Sequence, residues 1–148
     1  MSAGSAVIAI PEVPQSFNRT AYAHWRTAHR AKARLQTTLE GWLLACSELP
    51  RPVPGGQVTA WAELRFQTRR RRDQGNYRTP LEKALGDALV NGGWIPDDTP
   101  DHFRFERLEI ATDPGEPTTW ITLAWGPSRP VPLVPSSTVR LGQGRDAS

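Results

Sequence analysis

This sequence is short of several things, and each shortage narrows what the chain can be. It has one cysteine, Cys46, so it carries neither an internal disulfide framework nor a multi-cysteine zinc site. No apolar run reaches the ~18 residues that suggest a membrane span. The opening stretch Met1 to Ile10 has no basic residue ahead of its apolar part, so a secretory signal is not expected. Together these features point to a cytoplasmic protein in a reducing compartment with no membrane partner. Lysine is also scarce. Sixteen of the eighteen basic side chains are arginine, and the lysines are Lys32 and Lys83. Arginine's planar fork suits two-pronged contacts with phosphate, whereas lysine is a point charge on a flexible stem.

What remains is an ordinary globular composition, 38% hydrophobic and 22% charged over 148 residues, enough chain to bury one core without staples. The net charge of +3 hides a division. From Arg19 to Arg72 eleven bases face three acids, and from Asp73 to Glu116 four bases face ten acids. A basic half followed by an acid-rich half suits a protein that binds a polyanion and holds a cation. Two solvated surfaces would give the same arithmetic.

Hydrophobic spacing predicts a single domain over residues 6–125, with a flexible start at 1–5 and a Pro/Ser-rich, disordered tail at 126–148. Ala6 to Ile10 reads as a first strand stopped by Pro11. A helix is expected from about Ala21 to Ser47, with Leu35, Leu39, Trp42, Leu43 and Cys46 on its buried face. Its early part holds Arg26, Arg30, Lys32 and Arg34 and no acid, a candidate phosphate-facing surface. Val58 to Thr68 alternates as a strand with Val58, Ala60, Ala62, Leu64 and Phe66 on one side, then runs into Arg69, Arg70, Arg71 and Arg72. The next helix is expected to start at an N-cap Thr79, with Pro80 first in the helix and Glu82 closing a capping box. It would bury Leu81, Ala84, Leu85, Ala88 and Leu89 and stop at Asn91-Gly92-Gly93. Phe103 to Ala111 and Thr118 to Trp125 read as two strands around a Pro-Gly turn. The fold class is α/β: a small mixed sheet flanked by two main helices.

The chemistry concentrates between Arg69 and Asp98. Asp73 follows the arginine run at a strand end. Lys83 and Asp87 lie a turn apart on the polar side of the next helix, and Asp97-Asp98 follow its glycine stop. Carboxylates from separate elements are what Mg2+ needs, because it takes oxygen ligands, keeps several waters and lets a substrate phosphate complete its shell. The ion would activate water or stabilise charge developing on a phosphodiester. Each piece also has an ordinary reading. Asp97-Asp98 suits a turn, Lys83 and Asp87 a surface pair worth ~0.2–0.5 kcal/mol, and four arginines a solvated edge.

The order of these residues resembles the RusA family of Holliday-junction resolvases, in the extended form common among phage and prophage members. That pattern runs Arg-Arg-Arg-Asp-x-Asp-Asn, then a lysine, then Asp-Ala-Leu four residues on, a glycine-rich stop and Asp-Asp. Here Arg70, Arg71, Arg72, Asp73, Asn76, Lys83, Asp87-Ala88-Leu89, Gly92-Gly93 and Asp97-Asp98 correspond. Upstream, His24-Trp25 and the run from Arg30 to Arg34 look like the basic first helix of such relatives. The resemblance implies a RusA-like fold over residues 6–125, a bacterial or phage setting, and a homodimer that cuts a four-way DNA junction with Mg2+. It implies Asp73 and Asp98 as metal ligands and Lys83 as a catalytic assistant. Two departures stand out. Four extra residues separate Asn76 from Asp87, and the second aspartate of the pattern falls at Gly75, so that water, Asp87, Asp97 or the Asn76 carbonyl would fill the missing position, or the metal site would be too weak to work.

Two other function classes compete with a Mg2+-dependent junction endonuclease. A relative that binds branched DNA without cutting it would explain Gly75. A general RNA- or single-strand-binding module would want aromatics interleaved with its basic residues, and Trp25 alone fits that pattern.

Overall fold

Short apolar runs make the strands, which form one four-stranded sheet whose outer strands alternate between water and core and whose central strands are buried on both faces. The computed structural model describes residues 3–14 and 25–126. In chain order these are β1 (Gly4–Ile10), α1 (Trp25–Ala45), a short 3-10 turn at Pro54–Gly56, β2 (Val58–Phe66), α2 (Gln74–Asn91), β3 (Phe103–Thr112) and β4 (Thr118–Trp125). The sheet order is β1-β4-β2-β3. β4 lies antiparallel to both β1 and β2, while β2 and β3 are parallel and joined by α2 as the crossover. The sheet is therefore mixed, and the class is α/β with two helices, as the sequence suggests.

The predicted faces locate the core. Val58, Ala60, Ala62, Leu64 and Phe66 all lie in it, and so do Ile121, Leu123 and Trp125 from β4. α1 contributes Leu39 and Leu43, and α2 contributes Leu81, Ala84, Leu85, Ala88 and Leu89. The other side of β2 carries Thr59, Trp61, Glu63 and Arg65, with Trp61 and Glu63 buried. There Glu63 pairs with Arg65 at 3.4 Å, and the Arg65 guanidinium lies 4.6 Å from the centre of the Trp120 ring.

Several expectations need correction. β1 begins at Gly4, so the start is ordered earlier than residue 6. Gly4 pairs with Trp125, and a methyl group at Gly4 would come within 2.7 Å of that indole, so only glycine admits the strand end there. β2 ends at Phe66 rather than Thr68. The first helix ends at Ala45 rather than Ser47, and Trp42 is exposed, because Leu39 and Leu43, with Cys46 just past the helix end, seat it in the core. The Asp113–Pro117 link is not a hairpin turn. β3 and β4 are not neighbours, and the link steps across the end of β2, where the Asp113 N–H donates to the Phe66 carbonyl at 2.8 Å. The expected helix start at Ala21, residues 1–2 of the N-terminus and the tail beyond Gly126 lie outside the described residues.

The largest correction concerns α2. It starts at Gln74 with Asp73 as N-cap, so Pro80 is the seventh residue inside the helix rather than its first. A proline there removes one backbone hydrogen bond and strains the turn before it. Tertiary contacts made by the extra turns oppose that cost. The Tyr77 ring packs edge-on against Phe66 at 5.3 Å, and Arg78 pairs with Glu82 at 3.3 Å and donates to the Phe105 carbonyl. Packing outweighs the local signal.

Candidate functional site

The far end of α2 shows how the acids come together. The helix stops as expected, with Gly92 at the C-cap and Gly93 at a φ of +83°, the left-handed conformation that glycine adopts freely. The Trp94 N–H then returns to the Leu89 carbonyl at 3.0 Å, closing the helix end. Trp94 and Ile95 bury themselves in the core, and this anchor turns the chain back so that Asp97 and Asp98 lie alongside the helix they have just left.

Asp98 faces α2 across Gly86. A methyl group at Gly86 would lie 3.3 Å from both the Asp98 Cβ and the Phe103 ring. The consequence is a meeting of charges from two elements: Lys83 Nζ stands 3.3 Å from Asp87 Oδ1 and 3.8 Å from Asp98 Oδ2. The two carboxylate oxygens that converge on the ammonium are thus no more than about 7 Å apart. Both are reachable from solvent, with Asp98 the more exposed.

Asp97 has a different task. Its Oδ1 accepts from the Thr99 hydroxyl at 2.6 Å and the Thr99 N–H at 3.0 Å. Those two bonds, with a lesser attraction from His102, hold its carboxyl below the usual aspartate range. Asp97 is therefore the turn acid, and Asp98 is the one that faces the lysine. His102, which sequence reasoning passed over, fastens the turn from the other side. A carbonyl only accepts, so Nδ1–H donates to Gly56 O at 2.8 Å, while Nε2 lies 3.8 Å from Asp97 Oδ2, an ion pair when the ring carries both protons. An Asp-x-x-x-x-His spacing after a glycine stop is the only trace of this clasp in the sequence.

Asp73 is not part of the cluster. It accepts the Gly75 N–H at 2.9 Å as the helix cap. Thirteen residues of helix separate it from Gly86, the position that faces Asp98, which at 1.5 Å per residue is ~19 Å. One ion with oxygens at ~2.1 Å cannot span that gap, so within one chain Asp73 and Asp98 do not share a metal. At Gly75 the backbone asks for nothing special, since a side chain there would meet only the Asp73 carboxylate at 3.4 Å.

The basic residues also divide. Arg69, Arg70 and Arg71 are exposed. Arg72 instead folds back, its guanidinium 3.7 Å from the centre of the Phe66 ring and donating to the Thr68 carbonyl at 3.0 Å. It supports the strand end rather than reaching outward. On α1, Arg30, Lys32 and Arg34 are exposed, with Arg34 3.8 Å from Glu12. The Arg26 side chain lies outside the described residues.

Among the described residues no three Asp, Glu, His or Cys side chains form a ready-made metal cage. A magnesium ion needs less than that, since one or two carboxylates and its own waters suffice until a phosphate arrives. The hard oxygens of half-buried Asp87 and exposed Asp98, converging on one cation, fit that description. Among the described residues no helix is long and apolar enough to cross a membrane. No family model and no curated protein matches the sequence.

Proposed function

We propose that this chain is a RusA-like, Mg2+-dependent endonuclease that hydrolyses phosphodiesters in branched DNA, a four-way junction being the preferred substrate. The observation that carries the reading is the meeting of Lys83, Asp87 and Asp98. The acids come from a helix and from the turn that returns to it, and the residues stand in the order that the resemblance marks. Asp87 and Asp98 would hold the ion, whose chemistry is to activate water and stabilise charge on the phosphate. Lys83 would offer its ammonium to a non-bridging oxygen, where charge builds in the transition state. Asp97, Thr99 and His102 hold the turn that presents Asp98. The exposed guanidinium groups of Arg69, Arg70 and Arg71 would grip backbone phosphates without reading sequence. A homodimer would supply two such sites to symmetry-related strands.

The deciding experiment compares a four-way junction with linear duplex, with and without Mg2+, using the parent and Asp98→Asn. Junction-selective, Mg2+-dependent cutting that Asp98→Asn abolishes is the expected result. Cutting unaffected by Asp98→Asn would overturn the assignment. One observation favours a second reading, a branched-DNA binder that does not cut. Asp73 stands ~19 Å along the helix from the other acids, and Gly75 offers no replacement, so the single-chain acid set is thin. Tight junction binding with no cutting at any Mg2+ concentration would select that reading.

A further inference from the structure

The place where the two carboxylates converge already holds a cation, the protein's own. Lys83 Nζ is 3.3 Å from Asp87 and 3.8 Å from Asp98. The first contact is what an i,i+4 spacing supplies on any helix. The second is not, because Asp98 is brought in by the 96–102 turn, close enough to α2 that a methyl group at Gly86 would press on its Cβ. Tertiary structure therefore builds a two-carboxylate seat around this ammonium. Yet the lysine side chain is 56% exposed, and exposed ion pairs are weak and easily broken. A divalent ion would bring twice the charge to the same oxygens. It cannot share them with an ammonium less than 4 Å away, because the two cations would repel.

We propose that Lys83 is a resident counter-cation that a divalent metal displaces, so that taking up the metal and releasing this ammonium are one event. The inference rests on the metal-dependent reading above and adds regulation to it. Without metal, the ammonium offsets half of the acids' charge and the lysine is occupied. With metal, the ammonium swings to the rim of the seat, where a phosphate oxygen can claim it. The catalytic groups are thereby armed together.

The scarcity of lysine makes the event observable, since Lys83 and Lys32 are the only two in the chain. With lysine labelled at Cε, titrating Mg2+ into the full-length protein should move the Lys83 resonance while Lys32, exposed on α1, stays in place. Direct titration of Mg2+ should show Lys83→Gln binding the ion about two- to fivefold more tightly than the parent, the loss of a competing exposed pair. Arg104→Gln is the control for bulk charge. It removes a positive charge from the neighbouring strand, where the arginine reaches the Pro100 carbonyl rather than either acid, and it should change the affinity by clearly less. Equal affinity in the parent and Lys83→Gln, or an equal gain in Arg104→Gln, overturns displacement and leaves the metal reading standing. Weaker uptake by Lys83→Gln makes the lysine a helper and overturns it too. No uptake by either protein overturns displacement and the metal reading together.

Discussion

Gly92→Ala is the substitution whose consequence the structure states most sharply. Gly92 has an ordinary φ of −85°, so its backbone does not require glycine. What requires it is the neighbouring indole. A Cβ at Gly92 would sit 2.0 Å from Trp94 Cζ3 and 2.5 Å from Cε3, far inside contact distance. Trp94 is only 2% exposed and has the Arg51 guanidinium 5.3 Å from its ring centre on the outer side. It cannot slide away without leaving the core. The loss should approach that of deleting a buried aromatic side chain, about 3–5 kcal/mol. For a domain of this size that corresponds to a fall in Tm of roughly 6–20 °C. Gly93→Ala is the comparison. There φ is +83° and nothing lies within 4 Å of the added carbon, so only the left-handed strain is felt, about 1–2 kcal/mol. Thermal and urea unfolding of the two variants beside the parent would measure both. If Gly92→Ala costs less than Gly93→Ala, the close approach of Trp94 is not what holds the helix end. Because Trp94 anchors the turn that carries Asp98, Gly92→Ala should also weaken Mg2+ uptake at temperatures where the protein is still folded.

Other variants separate structural from functional roles. Asp73→Ala should cost about 1 kcal/mol through the lost cap, while Asp73→Asn, which still caps, should cost a few tenths; a large loss in Asp73→Asn measured by urea unfolding would contradict a capping role. Asp97 titrates below an unfolded aspartate at about 3.9, so its hydrogen bonds add stability above that pH, and this stability is lost as pH falls through the lower folded value. Thr99→Val, which removes the main donor, should flatten that acid limb in unfolding curves taken below about pH 4, and an unchanged limb would show that the Thr99 hydroxyl is irrelevant. Replacing Arg70 and Arg71 together with alanine should lower the salt slope of DNA binding by about 2. Arg72→Ala should leave the slope alone and cost about 0.5–1 kcal/mol of stability through the lost stacking on Phe66, with the reverse pattern refuting the division.

The core faces were legible in the sequence because periodicity reports burial directly. The apolar positions from Val58 to Phe66, and the helical spacing of Leu81, Ala84, Leu85, Ala88 and Leu89, mark the side of each element that packs into the core. The glycine stop at Asn91-Gly92-Gly93 was legible for a local reason too, the freedom of glycine to turn left-handed. The start of α2 was not. Thr79-Pro80 carries a strong local signal, and it lost to the packing of Tyr77 on Phe66 and the reach of Arg78 to β3, contacts between residues far apart in the chain. Strand order was hidden for the same reason, since nothing local reveals that β4 inserts between β1 and β2. The site divides likewise. Composition and spacing singled out four acids and the lone lysine of the acid-rich half, and the resemblance set Asp73 with Asp98 as the metal pair, with Asp87 and Asp97 as replacements. Only the folded chain separates them, setting Asp73 at the helix cap, giving Asp97 to the turn, and bringing Asp98 across Gly86 to Lys83. Which carboxylates share a cation depends on distances of a few ångströms between segments, and the chain acquires those only when Trp94 enters the core.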